Sequence, residues 1–349
     1  MTELLRVTAL TKRFAARSGK GGIRAVDGVS LTLMSGETLG VVGESGCGKS
    51  TLGRAILRLV EPTSGEVVFD GVDLLSLGPA ALRDKRRDMQ MIFQDPYASL
   101  DPRLTVGRII AEPLVIHGIG DAESRRAAVL ELLETVGLEA DSVSLYPHEF
   151  SGGQRQRIGI ARAVALHPRL IIADEPVSAL DVSIQSQILN LMVELRQRFG
   201  LSYIFISHDL AVVEHVSDTV AVMYLGRIVE YAATEDLFAR PSHPYTEALI
   251  SAVPQTEPGR RGARIMLKGE MPDPENPPPG CPFHPRCPKA MDICGNTPPN
   301  EIDIGTEGRP HFVRCHLFYI GNSLIRQINS LFCFLNSLLR ALGNLSVTD

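Results

Sequence analysis

Residues Gly43 to Ser50 read GESGCGKS, a GxxxxGK[ST] run set between the apolar segment TLGVV and the helix-like segment STLGRAILRLV. A strand that passes through a glycine-rich turn straight into a helix opens a parallel β–loop–α unit. The chain must then supply further parallel strands and helices to cover them. Gly43, Gly46 and Gly48 let the backbone turn tightly and aim successive N–H groups at phosphate oxygens, with Glu44, Ser45 and Cys47 between them. The amino terminus of the helix adds positive potential. Lys49 is placed to reach β and γ phosphates, Ser50 to coordinate magnesium, and Thr51 continues the first turn.

The rest of the chain to about residue 255 supplies the partners. RLIIADEP, LSYIFISHD and TVAVMYLGRIVE have the short, near-continuous apolar pattern of buried strands, whereas GGQRQRIGIARAVAL and QSQILNLMVELRQRFG have helical periodicity. The strand RLIIADEP ends in two acids, and beside a phosphate loop Asp174 can hold magnesium through water while Glu175 polarises the attacking water.

Composition narrows the class. With 349 residues, 44% hydrophobic and 21% charged, the chain suits one large domain plus something smaller, and excludes collagen-like, wholly disordered or coiled-coil descriptions. A net charge of -5 leaves no global electrostatic footprint for nucleic acid, so no nucleic-acid partner is expected. No run of about 18 apolar residues occurs, and MTELLRVTALTKRF lacks the order of a secretory signal, so the chain is expected to stay in the cytoplasm without spanning a membrane.

Composition then shifts. Ten of the 23 prolines fall between Pro272 and Pro299, too dense for continuous helix or a central strand. Cys281, Cys287, Cys294 and Cys315 lie in and just after this stretch, spaced CxxxxxC, CxxxxxxC and then 20 residues. Four clustered thiols point either to tetrahedral zinc or to an iron–sulfur cluster, and the lack of a tight CxxC pair disfavours a zinc ribbon or knuckle. A proline-rich segment cannot build its own ladders, so ligand bonds acting as a structural brace are the expectation. Cys47 and Cys333 are bystanders. From Leu317 a third regime begins, with Ile320, Leu324, Ile328, Leu331, Leu335, Leu338 and Leu342 on one helical face. Arg326, Asn329, Asn336 and Arg340 among them disfavour a spanning helix and suit packing on this subunit or a partner, with a membrane-surface helix as the alternative.

Phe150 to Gln154 read FSGGQ, followed by RQRIGIARAVALHP, and this resembles the signature segment of ABC ATPases, where LSGGQ is the commoner form. The resemblance implies a P-loop ABC ATPase fold with a RecA-like core, an antiparallel β subdomain and a helical subdomain. In that family Ser151, Gly152, Gly153 and Gln154 face a nucleotide on the opposing ATPase, so the complete site is shared across a dimer. Gln94 in MQMIFQDP corresponds to the Q-loop glutamine that senses the γ phosphate and magnesium, Asp181 in SALD to the dimer-contact D-loop, and His208 in ISHD to the switch histidine. Phe14 falls where the family stacks an aromatic ring on adenine.

QDPYASLDPRLTVGRIIAEPL, YPHEFSGGQRQRIGIARA and HPYTEALISAVP resemble the dipeptide and oligopeptide import branch, over about residues 4 to 316, in the form of the second of two paired ATPases. The resemblance implies ATP and Mg2+ as cofactors and a [4Fe-4S] cluster on the four cysteines, with zinc as the alternative. It further implies a paralogous ATPase in a heterodimer, two membrane-spanning permeases, an extracytoplasmic solute-binding protein indirectly, and a peripheral place on the cytoplasmic face of the membrane. The expected organisation is an ATPase domain over 1–255, a proline-rich four-cysteine extension over 256–316 and an amphipathic tail over 317–349. A soluble ABC ATPase acting as a mechanical switch, and a redox-responsive regulatory ATPase, are the alternatives. One copy of each motif and no long coiled-coil insert weigh against the first.

Overall fold

The computed structural model describes residues 2–15, 22–253 and 264–318. Its strands are β1 (Glu3–Ala15), β2 (Gly22–Met34), β3 (Thr38–Val42), β4 (Ser64–Phe69), β5 (Val72–Asp73), β6 (Met89–Ile92), β7 (Leu170–Asp174), β8 (Ser202–Ser207), β9 (Thr219–Tyr224), β10 (Arg227–Ala233), β11 (Ile302–Asp303) and β12 (His311–Val313). They form two sheets. The larger has the order β11-β12-β10-β9-β3-β8-β7-β6, and the smaller the order β2-β1-β4-β5.

In the larger sheet β9, β3, β8, β7 and β6 pair in parallel, and β10, β12 and β11 extend one end with antiparallel pairing. Every residue of β3, β7 and β8 is buried, as continuous apolar strands covered on both faces must be. The helix Lys49–Ile56 follows the phosphate loop and buries Leu52, Ala55 and Ile56. It lies so close to the sheet that a Cβ on Gly53 would come within 3.0 Å of Ile172 and Ile206. Leu52 and Ile56 share a core with Leu5, Val7, Val29 and Leu31 of the all-antiparallel smaller sheet.

Between β6 and β7 the chain leaves the sheet for helices that include Val106–Ile116, Ala122–Thr135 and Gly152–Val164, packed on the second core with the helix Val182–Phe199. The helix Ala122–Thr135 starts at a capping box of Asp121 and Ser124, and Gly152–Val164 at one of Ser151 and Gln154. The expected RecA-like core, antiparallel layer and helical region are therefore all present.

The extension expected to be small and irregular is tied into the main sheet. It contributes β11 and β12, and β12 pairs with β10 through Glu230 with Val313, Tyr231 with Phe312 and Ala232 with His311. The prolines stay out of these ladders: none falls within Ile302–Asp303 or His311–Val313, so each pairing residue keeps its N–H. His311 Nε2 lies 2.7 Å from the carboxylate of Glu230, which is fully buried and also accepts the N–H groups of Ser242 and His243. Among the described residues no helix is long and apolar enough to cross a membrane. The amphipathic tail expected over 317–349, with Cys333, lies outside the described residues save for Leu317 and Phe318.

Candidate nucleotide site

The phosphate loop emerges from the buried end of β3. Gly43, Gly46 and Gly48 have φ of 154°, 80° and 109°, the left-handed region that only glycine enters freely. A Cβ on Gly43 would strike the carbonyl of Met223, and one on Gly48 the carbonyl of Ala25. The loop is thus pressed between β9 and β2. Gly48 caps the helix Lys49–Ile56 without a side-chain bond, so the first-turn N–H groups remain open to a ligand.

Lys49 is 4% exposed, and its ammonium donates to the carbonyls of Gly43 at 2.7 Å and Glu44 at 3.1 Å. Ser50 Oγ donates to Asp174 Oδ1 at 2.6 Å. Asp174 is fully buried, burial raises its pKa, and its Oδ2 has no hydrogen-bond partner, with only the Arg54 guanidinium 3.7 Å away. A serine hydroxyl beside an unsatisfied buried carboxylate oxygen fits magnesium, which takes one or two protein oxygens and completes its shell with phosphate and water.

Glu175 follows at the end of β7 with φ 47°, a strained conformation for a side-chain-bearing residue, its N–H held by the carbonyl of Ile206. Its Oε2 accepts from Gln94 Nε2 at 3.0 Å and lies 3.2 Å from His208 Nδ1. Gln94, Glu175 and His208 stand just beyond the ends of the adjacent parallel strands β6, β7 and β8, so the strand order brings three distant residues to one point.

A cleft of about 190 Å³ lies over this constellation, lined by Ser45–Thr51, Gln94 and Glu175. Its other wall is Ile23, Arg24, Ala25, Leu225, Gly226 and Pro274, none of them singled out in the sequence. Phe14 does not line it. The ring is 39% exposed beneath the Lys12 ammonium, 4.9 Å from its centroid, and its strand partner Ile23 meets the cleft instead. Ser151, Gly152, Gly153, Gln154 and Asp181 are likewise absent from the lining. Ser151 and Gln154 satisfy each other at the start of their helix, and Asp181 caps Val182–Phe199 with its backbone alone.

The ABC transporter family model matches residues 26–178, and the model for the oligopeptide/dipeptide transporter C-terminal region matches 229–294. The chain is 54% identical over 326 residues to the oligopeptide transport ATP-binding protein AppF of Bacillus subtilis, covering 90% of this chain and 97% of that one. The chain belongs to the ATP-binding proteins of ABC peptide transporters. A Brucella ovis protein named for peptide import ATP binding is 53% identical over 315 residues, covering 90% of this chain and 98% of its own length. The ATP-binding cassette MJ0796, solved as a dimer in a post-hydrolysis state with ADP and Pi, superposes with a TM-score of 0.61 at 32% identity, covering 66% of this chain and 99% of that one.

In this peptide-transport ATPase the cysteine segment touches the phosphate loop, which no motif signalled. Arg286 forms a bidentate pair with Glu44 at 2.8 and 3.1 Å, and the hydroxyl of Tyr245 accepts the Glu44 N–H at 2.8 Å. The metal centre expected on Cys281, Cys287, Cys294 and Cys315 is a different matter. Among the described residues no three or more His, Cys, Asp or Glu side chains are arranged to hold a metal ion. Cys281 and Cys294 lie in the hydrophobic core with Phe283, and Cys287 packs against it. Burial, above all, pushes the Cys281 thiol up to about 11 and that of Cys315 up to about 12 in the metal-free fold. Cys47 is buried in the loop, and burial raises its thiol as well.

Proposed function

We propose that this chain binds ATP with magnesium over the phosphate loop and hydrolyses it in a pair with a related ATPase, so driving peptide import through two membrane-spanning subunits. ATP hydrolysis coupled to peptide transport is the activity of its family. The observation that carries the site assignment is the meeting of Gln94, Glu175 and His208 beside Lys49, Ser50 and Asp174.

On this reading Lys49 exchanges the carbonyls of Gly43 and Glu44 for β and γ phosphate oxygens. Ser50 and Asp174 hold magnesium, which when bound offsets the charge on the transferring phosphoryl group. Glu175 takes the proton of the attacking water, with Gln94 and His208 fixing its carboxylate now and the γ phosphate later. Ile23, Arg24 and Ala25, which line the cleft across from the phosphate loop, would meet the base, with Phe14 paired beside Ile23.

Ser151, Gly152, Gly153, Gln154 and Asp181 are assigned to the partner's nucleotide, supported by their absence from this cleft and by the dimer of the MJ0796 cassette. The paralogue makes the pair a heterodimer. A groove of about 470 Å³ beside β6, with Leu59, Phe93, Pro113 and Ile116 at its centre and Arg83, Arg86 and Arg162 around it, is assigned to the membrane subunits. The chain is then peripheral, on the cytoplasmic face. Its parts are the ATPase domain, the cysteine extension and the tail, divided near residues 255 and 316.

The four cysteines are assigned to a [4Fe-4S] brace. Support comes from their spacing in one short stretch and from the packing of Cys281, Cys287 and Cys294 about one core, with the Cys281 N–H donating to the Cys294 carbonyl at 2.8 Å. Iron and acid-labile sulfide analysis after anaerobic purification checks it. The transport assignment is tested by co-expression with candidate permeases: two membrane proteins and a second ATPase should co-purify, and peptide uptake should require this chain. A homodimer with full hydrolytic activity and no membrane partner would sink it.

A further inference from the structure

We propose that Arg286 is a positioning residue for the phosphate loop: through Glu44 it holds the loop in its binding pose and so sets the affinity for nucleoside triphosphate. This rests on the reading of the cleft as an ATP site. Glu44 is the one acidic side chain between Gly43 and Ser50, and a carboxylate there faces the charge of an incoming polyanion. Arg286 engages both its oxygens at 2.8 and 3.1 Å with a side chain only 8% exposed, across 242 positions of sequence. Such a fork both neutralises the carboxylate and fixes its direction, which a lysine cannot do.

Glu44 is held at two further points. Its N–H is bound to the hydroxyl of Tyr245, whose ring lies against Phe283 and Tyr224 at 5.4 and 4.8 Å between centroids. Its carbonyl accepts from Lys49, a bond that must break when Lys49 turns to phosphate. The Arg286 and Tyr245 contacts do not depend on Lys49, so the loop stays in place while the lysine changes partners. The segment touches the loop elsewhere too: Pro274 lines the cleft, and the methyl of Met271 lies 3.4 Å from the position of a Cβ on Gly46. Arg286 itself sits on the turn His284–Arg286, closed by the Arg286 N–H to the Phe283 carbonyl and the His284 N–H to the Cys281 carbonyl, both at 3.0 Å.

The test is equilibrium binding of Mg-ATP to the purified full chain, with circular dichroism and thermal unfolding alongside. Arg286→Ala should raise the Kd for ATP on the order of ten-fold, as expected for losing a charged hydrogen-bonded pair, and raise KM with kcat changed less than about twofold. Arg286→Lys should recover part of the loss. In a Glu44→Gln background, where no charge needs neutralising, Arg286→Ala should cost less than about twofold, the non-additivity of a coupled pair. If Arg286→Ala does not fold, Arg286→Lys against Glu44→Gln poses the same question. An unchanged Kd, or equal losses in both backgrounds, overturns the proposal. Lys49→Ala separates the two readings: if it too leaves Kd unchanged, the ATP-site assignment fails, and if it alone abolishes binding, only the role of Arg286 fails.

Discussion

The helices Lys49–Ile56 and Gly152–Val164 both begin at residues with phosphate-binding chemistry, yet only the first is enclosed. At the phosphate loop the glycines are pinned against the carbonyls of Met223 and Ala25, Lys49 is buried, and Ser50 is bonded to Asp174. At the second, Ser151 and Gln154 are exposed and close a capping box on each other, with no lysine, acid or cleft of their own. A helix amino terminus supplies potential and donors, but water competes for both unless other elements exclude it. The first helix has those elements within its own chain. The second lacks them among the described residues, and on the proposed reading another subunit supplies them.

The largest expected effect falls on the enclosed site. Glu175→Gln removes the proposed proton acceptor while keeping the Gln94 bond possible, and phosphate release should fall at least about a hundred-fold with ATP still bound. Wild-type turnover would remove Glu175 from that role. Next, Lys49→Ala should weaken ATP binding roughly 30- to 100-fold by equilibrium titration, since two buried charge-assisted contacts to phosphate are lost.

Ser151→Ala sharpens the contrast. It should leave ATP affinity of the separated subunit within about twofold, lower turnover of the paired enzyme about ten-fold, and cost about 1 kcal/mol of stability through the lost cap. A fall in the separated subunit's affinity as large as that of Lys49→Ala would place both helices on one site and break the comparison. The smallest effect is on pH dependence. With Cys281 raised to about 11 and Cys315 to about 12, the ligand-free fold binds more protons than the unfolded chain. Its stability should be intact below the ordinary thiol range and fall as pH rises through 11 to 12, read by denaturant unfolding. Iodoacetamide should label the two slowly at pH 8 in the metal-free protein and quickly in urea, and fast native labelling would contradict their burial.

Much of the nucleotide site was legible because its chemistry is local. Glycines at the φ values of a tight loop, a lysine and hydroxyl at the helix start, and acids at a strand end are each demanded by what they touch within a few residues. Gln94 and His208 were legible only through the family pattern, and their meeting at Glu175 depends on β6, β7 and β8 being neighbours. Phe14 was a reasonable aromatic for a base, and the fold sets it directly across from Ile23, which lines the cleft. The Arg286–Glu44 pair left no signal, since an arginine in a proline-rich stretch reads as a solvated charge until the chain returns to the loop. The cysteine spacing carried a metal expectation but says nothing about burial, and only the fold shows that Cys281 and Cys294 lie in the core.

The amino-acid sequence by itself determined the class of chemistry: a phosphate loop with its lysine and acids, in a chain of alternating strands and helices, commits the protein to binding a nucleotide. The tertiary structure decided which helix start is enclosed and which is left open, and it made the cysteine segment both an edge of the main sheet and a wall of the cleft. The reason lies in range. Loop geometry and helix starts are set by residues a few positions apart, whereas enclosure, desolvation and charge pairing depend on what the fold brings from far along the chain.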